Sequence, residues 1–272
     1  MTGQFQYVYG LLGDQLARLK SDGQGIRIIR PQFGRIALLN THNPPFDDVR
    51  VRKAAAYSIN AQQVLSNALG DASLYELDGA LFFPEQKLLY STAGMDTYGH
   101  FDPNRARQLL QQAGSPTHEI VVLAPTYDPI LNNTAVTVAQ QLAAVGFKTS
   151  VESLDQASFL VRQAQPQGWH AYAATTSPGF LLPSAMPQLT GEYPYSGYYA
   201  KGDTMATLVA HWATTSTDAE RQTLIDQIQT QLYVDQPVIK FGNSFGLDGV
   251  SPKLHINMSF YLPTFWDMWL TD

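Results

Sequence analysis

The chain contains no cysteine among its 272 residues. This absence excludes disulfide bonds, thiolate metal sites and a cysteine nucleophile, but it indicates no compartment, because cytosolic and exported bacterial proteins can both lack cysteine. Charge is also sparse, with 15% charged residues and a net charge of −6 at pH 7. An acidic balance gives no electrostatic basis for binding a phosphate backbone, so we expect no nucleic-acid partner.

Long apolar runs and targeting signals are missing as well. No run approaches the ~20 residues that a membrane span needs, and the start MTGQFQYVYG lacks the basic and then apolar pattern of a signal peptide. With 44% hydrophobic residues the chain can still bury a substantial core. We therefore expect a folded protein with no membrane span in this chain.

Signatures of catalysis and of nucleotide binding are absent. The sequence has no G-x-S-x-G elbow, no P-loop, no H-E-x-x-H and no G-x-G-x-x-G. Its six histidines are scattered without the spacing of metal ligands, so surface or core roles are expected for them. The sequence thus predicts no cofactor, no metal site and no catalytic residue.

What the sequence does contain is an alternation of strand and helix patterns. EIVVLAPT, a helical stripe over 134–145 and FKTSVESL predict a βαβ unit. HAYAATT and VIKFGNSFGLDGV predict further strands, and IRIIR and RIALLN predict two short strands before Asn40. Helix caps are predicted at Asp102 and Thr217, each ahead of an apolar stripe. The alternation predicts an α/β fold.

The most strongly specified stretch is NPPFDDVRVRKAAAYSIN, residues 43–60. Two prolines exclude a helix before Phe46, and Asp47 is predicted to cap a helix whose apolar residues recur at helical spacing up to Ile59. Asn60 is predicted to cap the next helix. Two long segments, 70–99 and 177–202, are irregular and rich in aromatic residues, and loops of this length are usually functional or mobile.

PFDDVRVRKAAAYSIN resembles the signature of family 5 extracellular solute-binding proteins, the dipeptide, oligopeptide and nickel class of ABC-importer receptors. The family pattern is approximately P-F-x-D-x-R-V-R-x-A-x-x-x-A-I-D, from which this chain departs at Ser58 and Asn60. FDPNRARQLLQQAG, AQQLAAVGFKTSVE and DAERQTLIDQIQTQLYVDQPVIKF resemble later family blocks in family order. The resemblance covers nearly all of residues 36–272.

The resemblance implies the second lobe of a type II periplasmic-binding-protein, or Venus-flytrap, fold, with a mixed sheet flanked by helices. It predicts that residues 1–35 are the remnant of a first lobe and the approach to the hinge. Residues 36–262 would form the C-terminal solute-binding lobe and residues 263–272 a C-terminal tail. The chain is therefore expected to be a C-terminal portion that lacks the N-terminal lobe, and to bind solute weakly or not at all by itself because half of the cleft is missing.

The function that the resemblance implies is that of the substrate-binding component of an ABC-type importer. It would capture a peptide-like or other small polar solute by lobe closure, with no chemical step. In the intact protein the partner is an ABC permease and the location is periplasmic or extracytoplasmic. Two alternatives stay open, a hydrolase with an unrecognised active site and a receptor or chaperone module that serves no transport.

Ligand-binding residues are expected after the HAYAATT strand, where family members line the pocket. They are Thr175, Thr176, Ser177, Gly179, Phe180 and Leu182. An ordinary turn or core contact is the alternative for each of them, and Phe82 and Phe83 are weaker candidates because paired aromatics are more often core.

A hinge role is implied for Leu38, Leu39 and Asn40, since RIALLN would be the strand that crosses between the lobes. Arg50 and Arg52 are expected to be structural, through contacts to carboxylates or helix ends, rather than to bind ligand.

Leu182 also carries an expectation about the ligand. Peptide-binding members have an aspartate in this segment that holds the ammonium group of the peptide, whereas Leu182 takes its place here. No acidic residue lies between Asp155 and Glu192. An ammonium group buried here would lose its hydration without gaining a counter-charge. The sequence therefore favours a non-cationic solute, such as a capped, sugar-containing or opine-like one, over an ordinary peptide.

Overall fold

The computed structural model describes residues 5–22, 25–95, 97–177, 182–190, 199, 202–257 and 265–271. The strands in these ranges are β1 (Tyr7–Val8), β2 (Gly25–Leu39), β3 (Tyr75–Glu76), β4 (Glu119–Pro125), β5 (Lys148–Leu154), β6 (Ala171–Thr176), β7 (Val238–Val250), β8 (Leu254–His255) and β9 (Trp269–Leu270). The helices are α1 (Asp14–Ser21), α2 (Val49–Ser58), α3 (Ala61–Leu69), α4 (Pro103–Gln112), α5 (Pro129–Ala144), α6 (Gln156–Gln163), α7 (Pro187–Thr190), α8 (Thr204–Thr214) and α9 (Asp218–Asp235).

One mixed sheet organises the described part of the chain, with strand order β1-β7-β2-β6-β4-β5 and β3 beside β7. β2 lies antiparallel between β6 and β7. β4 is parallel to β5 and to β6, and α5 connects β4 to β5, which confirms the predicted βαβ unit. The mixed sheet with flanking helices is the predicted fold class.

The prediction of two short strands before Asn40 is wrong, because β2 is a single strand that runs from Gly25 to Leu39. Both halves pair with β7, and the register shifts between Ile29 and Phe33. Pro31 lies in the shifted part, where its missing amide hydrogen disrupts no regular ladder. The boundary expected after residue 35 falls inside β2, and the division into 1–35, 36–262 and 263–272 stays a prediction.

The alternation of side chains along the sheet separates two helical layers. In β2, Ala37 and Leu39 pack into a core shared with α2, α3 and α5, whereas Ile36 packs on the opposite face with α7, α8 and α9. Leu38 joins a third cluster, which includes Phe159 of α6. Because successive residues of a strand point to opposite faces, one central strand supports all three clusters.

The cap of α2 is Asp48 and not Asp47 as predicted. The Asp48 carboxylate accepts a hydrogen bond of 2.8 Å from the Arg50 backbone amide, as a cap does from the second residue of a helix. The Asp47 amide instead donates to the Asn43 carbonyl, so Asp47 belongs to the turn before the helix.

Three further caps are confirmed by their hydrogen bonds, those of Asn60, Asp102 and Thr217. The predicted start of α5 at residue 134 is wrong. Asp128 caps this helix by accepting from two backbone amides, at 2.9 and 3.0 Å, and Pro129 occupies the first helical position.

Arg50 and Arg52 make the helix-end contacts that were predicted for them. The largely buried Arg52 donates to the carbonyl of Asp235, the last residue of α9, at 2.7 Å and to the Phe46 carbonyl at 2.7 Å. Arg50 donates to the carbonyl of Gln112, the last residue of α4, at 2.9 Å. The signature arginines thereby fasten α2 to the ends of two other helices.

Candidate functional site

A cavity of about 210 Å³ opens where β6 ends. The sheet contributes Ile36 from β2 and Lys240 from β7, and the end of β6 contributes Thr176. The helical layer closes the other side. The remaining lining residues are Gly79, Leu81, Thr175, Ser177, Met186, Leu189, Leu232 and Val238. Mostly apolar walls with a few polar groups are typical of a small-molecule site.

The structure brings three of the six sequence-predicted ligand residues together at this cavity. Thr175 is exposed, and Thr176 and Ser177 are half-buried, all three on its rim or wall. Gly179 and Phe180 lie outside the described residues. Their assignment as ligand residues, like that of the other three, stays a prediction.

Leu182 is placed in a different depression. It is 53% exposed and lines a groove of about 540 Å³ together with Leu88 and Trp212, away from the lining of the β6 cavity. Phe82 and Phe83 are each 2% exposed, and Phe82 packs in the core beneath α9, which favours the core alternative for this pair.

Lys240 is the residue at this site that the sequence reasoning missed. It is 7% exposed, and its ammonium group donates to the Ala80 carbonyl at 3.1 Å and to Asn243 Oδ1 at 2.8 Å. Burial lowers the pKa of Lys240 to about 8, while Asp78 and Glu76 act in the opposite direction. The available signal was a lysine inside the apolar strand VIKFG, because a charge at an inward position of a buried strand requires partners.

The loop over the cavity is held in place by α9. Tyr233 donates from its hydroxyl to the Gly79 carbonyl at 2.7 Å, and Gln229 accepts from the Leu81 amide at 2.9 Å. Burial raises the pKa of Tyr233 above its usual range, so this hydroxyl stays protonated as a donor. Asn243 donates to the buried Asp78 carboxylate at 3.0 Å, which ties the same loop to β7. The wall of the cavity is therefore preformed.

The hinge candidates lie at the end of β2. Leu38 and Leu39 are buried in two different clusters of the core. Asn40 is completely buried, and its side-chain amide donates to the Trp169 carbonyl at 3.1 Å and to the Pro166 carbonyl at 3.3 Å. These contacts join the end of β2 to the loop before β6, and the hinge role itself stays a prediction.

A second, polar pocket of about 380 Å³ lies beside Arg52. Asp47 and Asp235 line it, and their own backbone carbonyls accept hydrogen bonds from the Arg52 guanidinium. Across the described ranges, no three histidine, aspartate or glutamate side chains are grouped as a metal site would require.

None of the helices in the described part combines the length and the apolar character that crossing a membrane would need.

Solved structures of similar fold match nearly the whole chain. An ABC transporter substrate-binding protein, CtaP, from Listeria monocytogenes superposes with a TM-score of 0.87 at 15% identity, covering 99% of this chain and 57% of that one. The periplasmic binding protein DppA from Helicobacter pylori, in complex with the peptide STSA, superposes with a TM-score of 0.81 at 18% identity, covering 99% and 53%. These likenesses establish the fold of a periplasmic-binding protein, of which this chain matches one part.

Curated relatives are similar in sequence. A probable peptide ABC transporter periplasmic-binding protein, y4tO, from Sinorhizobium fredii is 23% identical over 98% of this chain and 52% of its own length. A glutathione-binding protein, GsiB, from Pectobacterium atrosepticum is 26% identical over 93% of this chain and 50% of its own length. The chain thus spans about half the length of these relatives.

The family model supplies the most direct comparison. It is described as bacterial extracellular solute-binding proteins, family 5 Middle, and it matches residues 1–196, which is well over half of the chain. That range includes α2 with its two signature arginines and β6 with the rim of the cavity. The chain therefore belongs to the bacterial extracellular solute-binding proteins of family 5.

Proposed function

We propose that this chain supplies a solute-binding surface of the receptor of an ABC-type importer, and that the cavity at the end of β6 holds the solute. The observation that carries the proposal is the convergence of Thr175, Thr176 and Ser177 on that cavity. Open α/β sheets bind ligands at the carboxyl ends of their strands, and these residues stand at the carboxyl end of β6. Family membership supports the same function.

The substrate-binding role supports three further statements about the whole protein. It works with an ABC permease, it acts outside the cytoplasm, and it takes a peptide-like or other small polar solute. The relatives named as peptide- or glutathione-binding support this solute class. A hydrolase has no comparable support, because the family description and the names of the relatives denote binding proteins.

The solute site is tested by titrating the ¹⁵N-labelled 272-residue chain with tri-alanine, reduced glutathione and N-acetyl-L-leucinamide, followed by heteronuclear NMR. We expect at least one probe to shift the amide signals of Thr175, Thr176 and Ser177, even at millimolar affinity. The sample is then analysed by mass spectrometry, and the probes should be recovered unchanged. Shifts confined to other surfaces, or turnover of a probe, would contradict the proposal.

The location and the partner are tested in the source cells. Fractionation followed by detection of this chain should recover it outside the cytoplasm, and chemical cross-linking should connect it to the membrane subunits of an ABC permease. Recovery with the cytosolic contents would contradict both statements.

A further inference from the structure

Three neighbouring strands place two polar groups around a missing side chain. β2 lies between β6 and β7, and Gly34 of β2 pairs with Thr176 of β6. Ile36, which lies two residues after Gly34 in β2, pairs with Lys240 of β7. Side chains two apart point to the same face, so Gly34, which has no side chain, leaves room there for both polar groups.

The two polar groups take up the space beside Gly34. A Cβ added at Gly34 would overlap the Thr176 hydroxyl oxygen and would come within 2.9 Å of Lys240 Nζ. The two groups therefore converge on one point, although no hydrogen bond joins them in the described structure. Both belong to the wall of the cavity.

Both groups have hydrogen-bonding capacity left over. The Thr176 hydroxyl is buried and has no hydrogen-bond partner among the described residues. Lys240 donates two hydrogen bonds, to the Ala80 carbonyl and to Asn243, within the described part of the chain. An ammonium group has three donors, so one remains for an acceptor in the cavity. A buried donor without an acceptor costs free energy. An acceptor atom of the solute beside Thr176 and Lys240 would therefore gain more from hydrogen bonding than one elsewhere in the cavity.

The charges around Lys240 determine which acceptor fits. Asn243, which accepts from Lys240, donates to the carboxylates of Asp78 at 3.0 Å and Glu76 at 3.1 Å, so both carboxylates lie close to the ammonium group. One cation facing two carboxylates leaves no excess positive charge, so an anionic group would gain little here. A cationic group would be repelled by Lys240 and would have to lose its hydration.

We propose that the Lys240 ammonium and the Thr176 hydroxyl together bind an uncharged oxygen, a carbonyl or a hydroxyl, of the solute. The neighbouring walls are formed by Ile36, Leu81 and Leu232, so the solute carries an apolar group beside that oxygen. The inference rests on the proposed function, which places the solute in this cavity. It adds the chemical class of the part of the solute that contacts Lys240 and Thr176.

The experiment compares three probes that share one apolar side chain. They are N-acetyl-L-leucinamide, which is uncharged, N-acetyl-L-leucine, which is anionic, and L-leucinamide, which is cationic at pH 7. Dissociation constants are measured by NMR titration of the full 272-residue chain. We expect the uncharged probe to bind at least as tightly as the anionic one and at least tenfold more tightly than the cationic one.

Variants then test the two donors. Thr176→Val keeps the shape and removes the hydroxyl, and we expect it to weaken binding of the uncharged probe about fivefold. Lys240→Met should weaken it tenfold or more. Thr223→Val is the matched control, since Thr223 is exposed on α9 and donates within its own helix, and binding should stay within twofold.

Gly34→Ala covers the case in which Lys240→Met does not fold. Gly34 lies outside the left-handed region, so alanine can adopt the same backbone, but its methyl group would overlap the Thr176 hydroxyl and crowd Lys240. The resulting displacement of the two donors should weaken binding about tenfold. Unchanged affinity in Thr176→Val and Gly34→Ala would overturn the inference and would leave the proposed function intact. Tighter binding of the anionic or cationic probe would also overturn the inference alone. If no probe perturbs the cavity, the proposed function fails with it.

Discussion

Single polar side chains hold much of this structure in register by binding backbone groups. Asp48 accepts from the Arg50 amide at the start of α2, and Lys240 donates to the Ala80 carbonyl in the interior. The first is a local contact between near neighbours in sequence, and its partner is available as soon as the helix forms. The second joins residues that are far apart in sequence, so it exists only after folding. The local contact is tested by removing the helix cap, and the long-range contact by measuring stability at two pH values.

Replacing Asp48 with alanine should lower the free energy of unfolding by about 1 kcal/mol, because α2 loses its cap. Asp47→Ala is the matched control, since Asp47 is exposed and precedes the capping position. Urea denaturation of both variants measures the difference. A larger loss in Asp47→Ala than in Asp48→Ala would show that the cap is assigned to the wrong residue.

Lys240 should make the free energy of unfolding depend on pH. Its pKa is lowered from 10.5 to about 8 in the folded state, so between these values the unfolded state binds more protons and stability rises with pH. Relative to Lys240→Met, the wild-type chain should gain on the order of 2 kcal/mol between pH 7 and pH 9.5. Urea midpoints at both pH values test this. A difference between the two proteins that does not change with pH would contradict the buried, charged state of Lys240.

At the scale of elements, α2 is placed by contacts with other helices as well as by its apolar face. Val51, Ala54 and Ala55 are buried in the largest core cluster. Arg52 reaches from α2 to the last carbonyl of α9, where the partial negative charge of a helix end favours a cation. These contacts of Arg52 fix the position of α2, and the absence of a ligand contact at the family signature stays a prediction.

Arg52→Met keeps the aliphatic length of the side chain and removes its donors. Because a buried hydrogen bond from a charged group contributes about 1.5–3 kcal/mol, we expect a loss of roughly 2–3 kcal/mol in the free energy of unfolding. Probe binding at the β6 cavity should remain, since Arg52 is not part of its lining. A variant with unchanged stability and abolished binding would show that Arg52 acts on the solute. Arg50→Ala should have a smaller effect on stability, because Arg50 is exposed.

At the scale of the whole molecule, a buried ion pair joins β2 to β7, and its carboxylate also binds the first described residues. Arg27 of β2 and Asp248 of β7 are 1% and 0% exposed, with Nη1 and Oδ2 3.4 Å apart. Tyr7 donates from its hydroxyl to the same carboxylate, and the Gly10 amide donates to it at 3.0 Å. Asp248 thus ties the segment before α1 to the sheet.

Asp248→Asn removes the negative charge that faces Arg27 and keeps the shape of the side chain. Disruption of a buried pair is strongly destabilising, so we expect a loss on the order of 3 kcal/mol and faster proteolysis within residues 5–22. Asp22→Asn, in an exposed pair with Arg18, is the control and should change stability little. Equal stability of the two variants would contradict the role of Asp248.

Elements whose signals lie within a few residues were predictable from the sequence. The helix caps at Asn60, Asp102 and Thr217 were predicted in this way. Strand β6 was predicted too, together with the three residues at its end that line the cavity. The single strand β2 was missed, because its continuity depends on pairing with β7, more than two hundred residues away. Leu182 was assigned to the same pocket as its sequence neighbours, but it lines another groove.

By itself, the sequence determined the family, the alternation of strands and helices and most helix starts, because these depend on residue patterns and hydrogen bonds between near neighbours. Only the tertiary structure decided which residues meet in this part of the cavity wall. Gly34, Thr176 and Lys240 come from three strands that are distant in the chain, and they meet because β2 pairs with β6 on one side and β7 on the other. Strand pairing of this kind is set by the packing of the whole sheet between its two helical layers, which no local stretch of sequence contains.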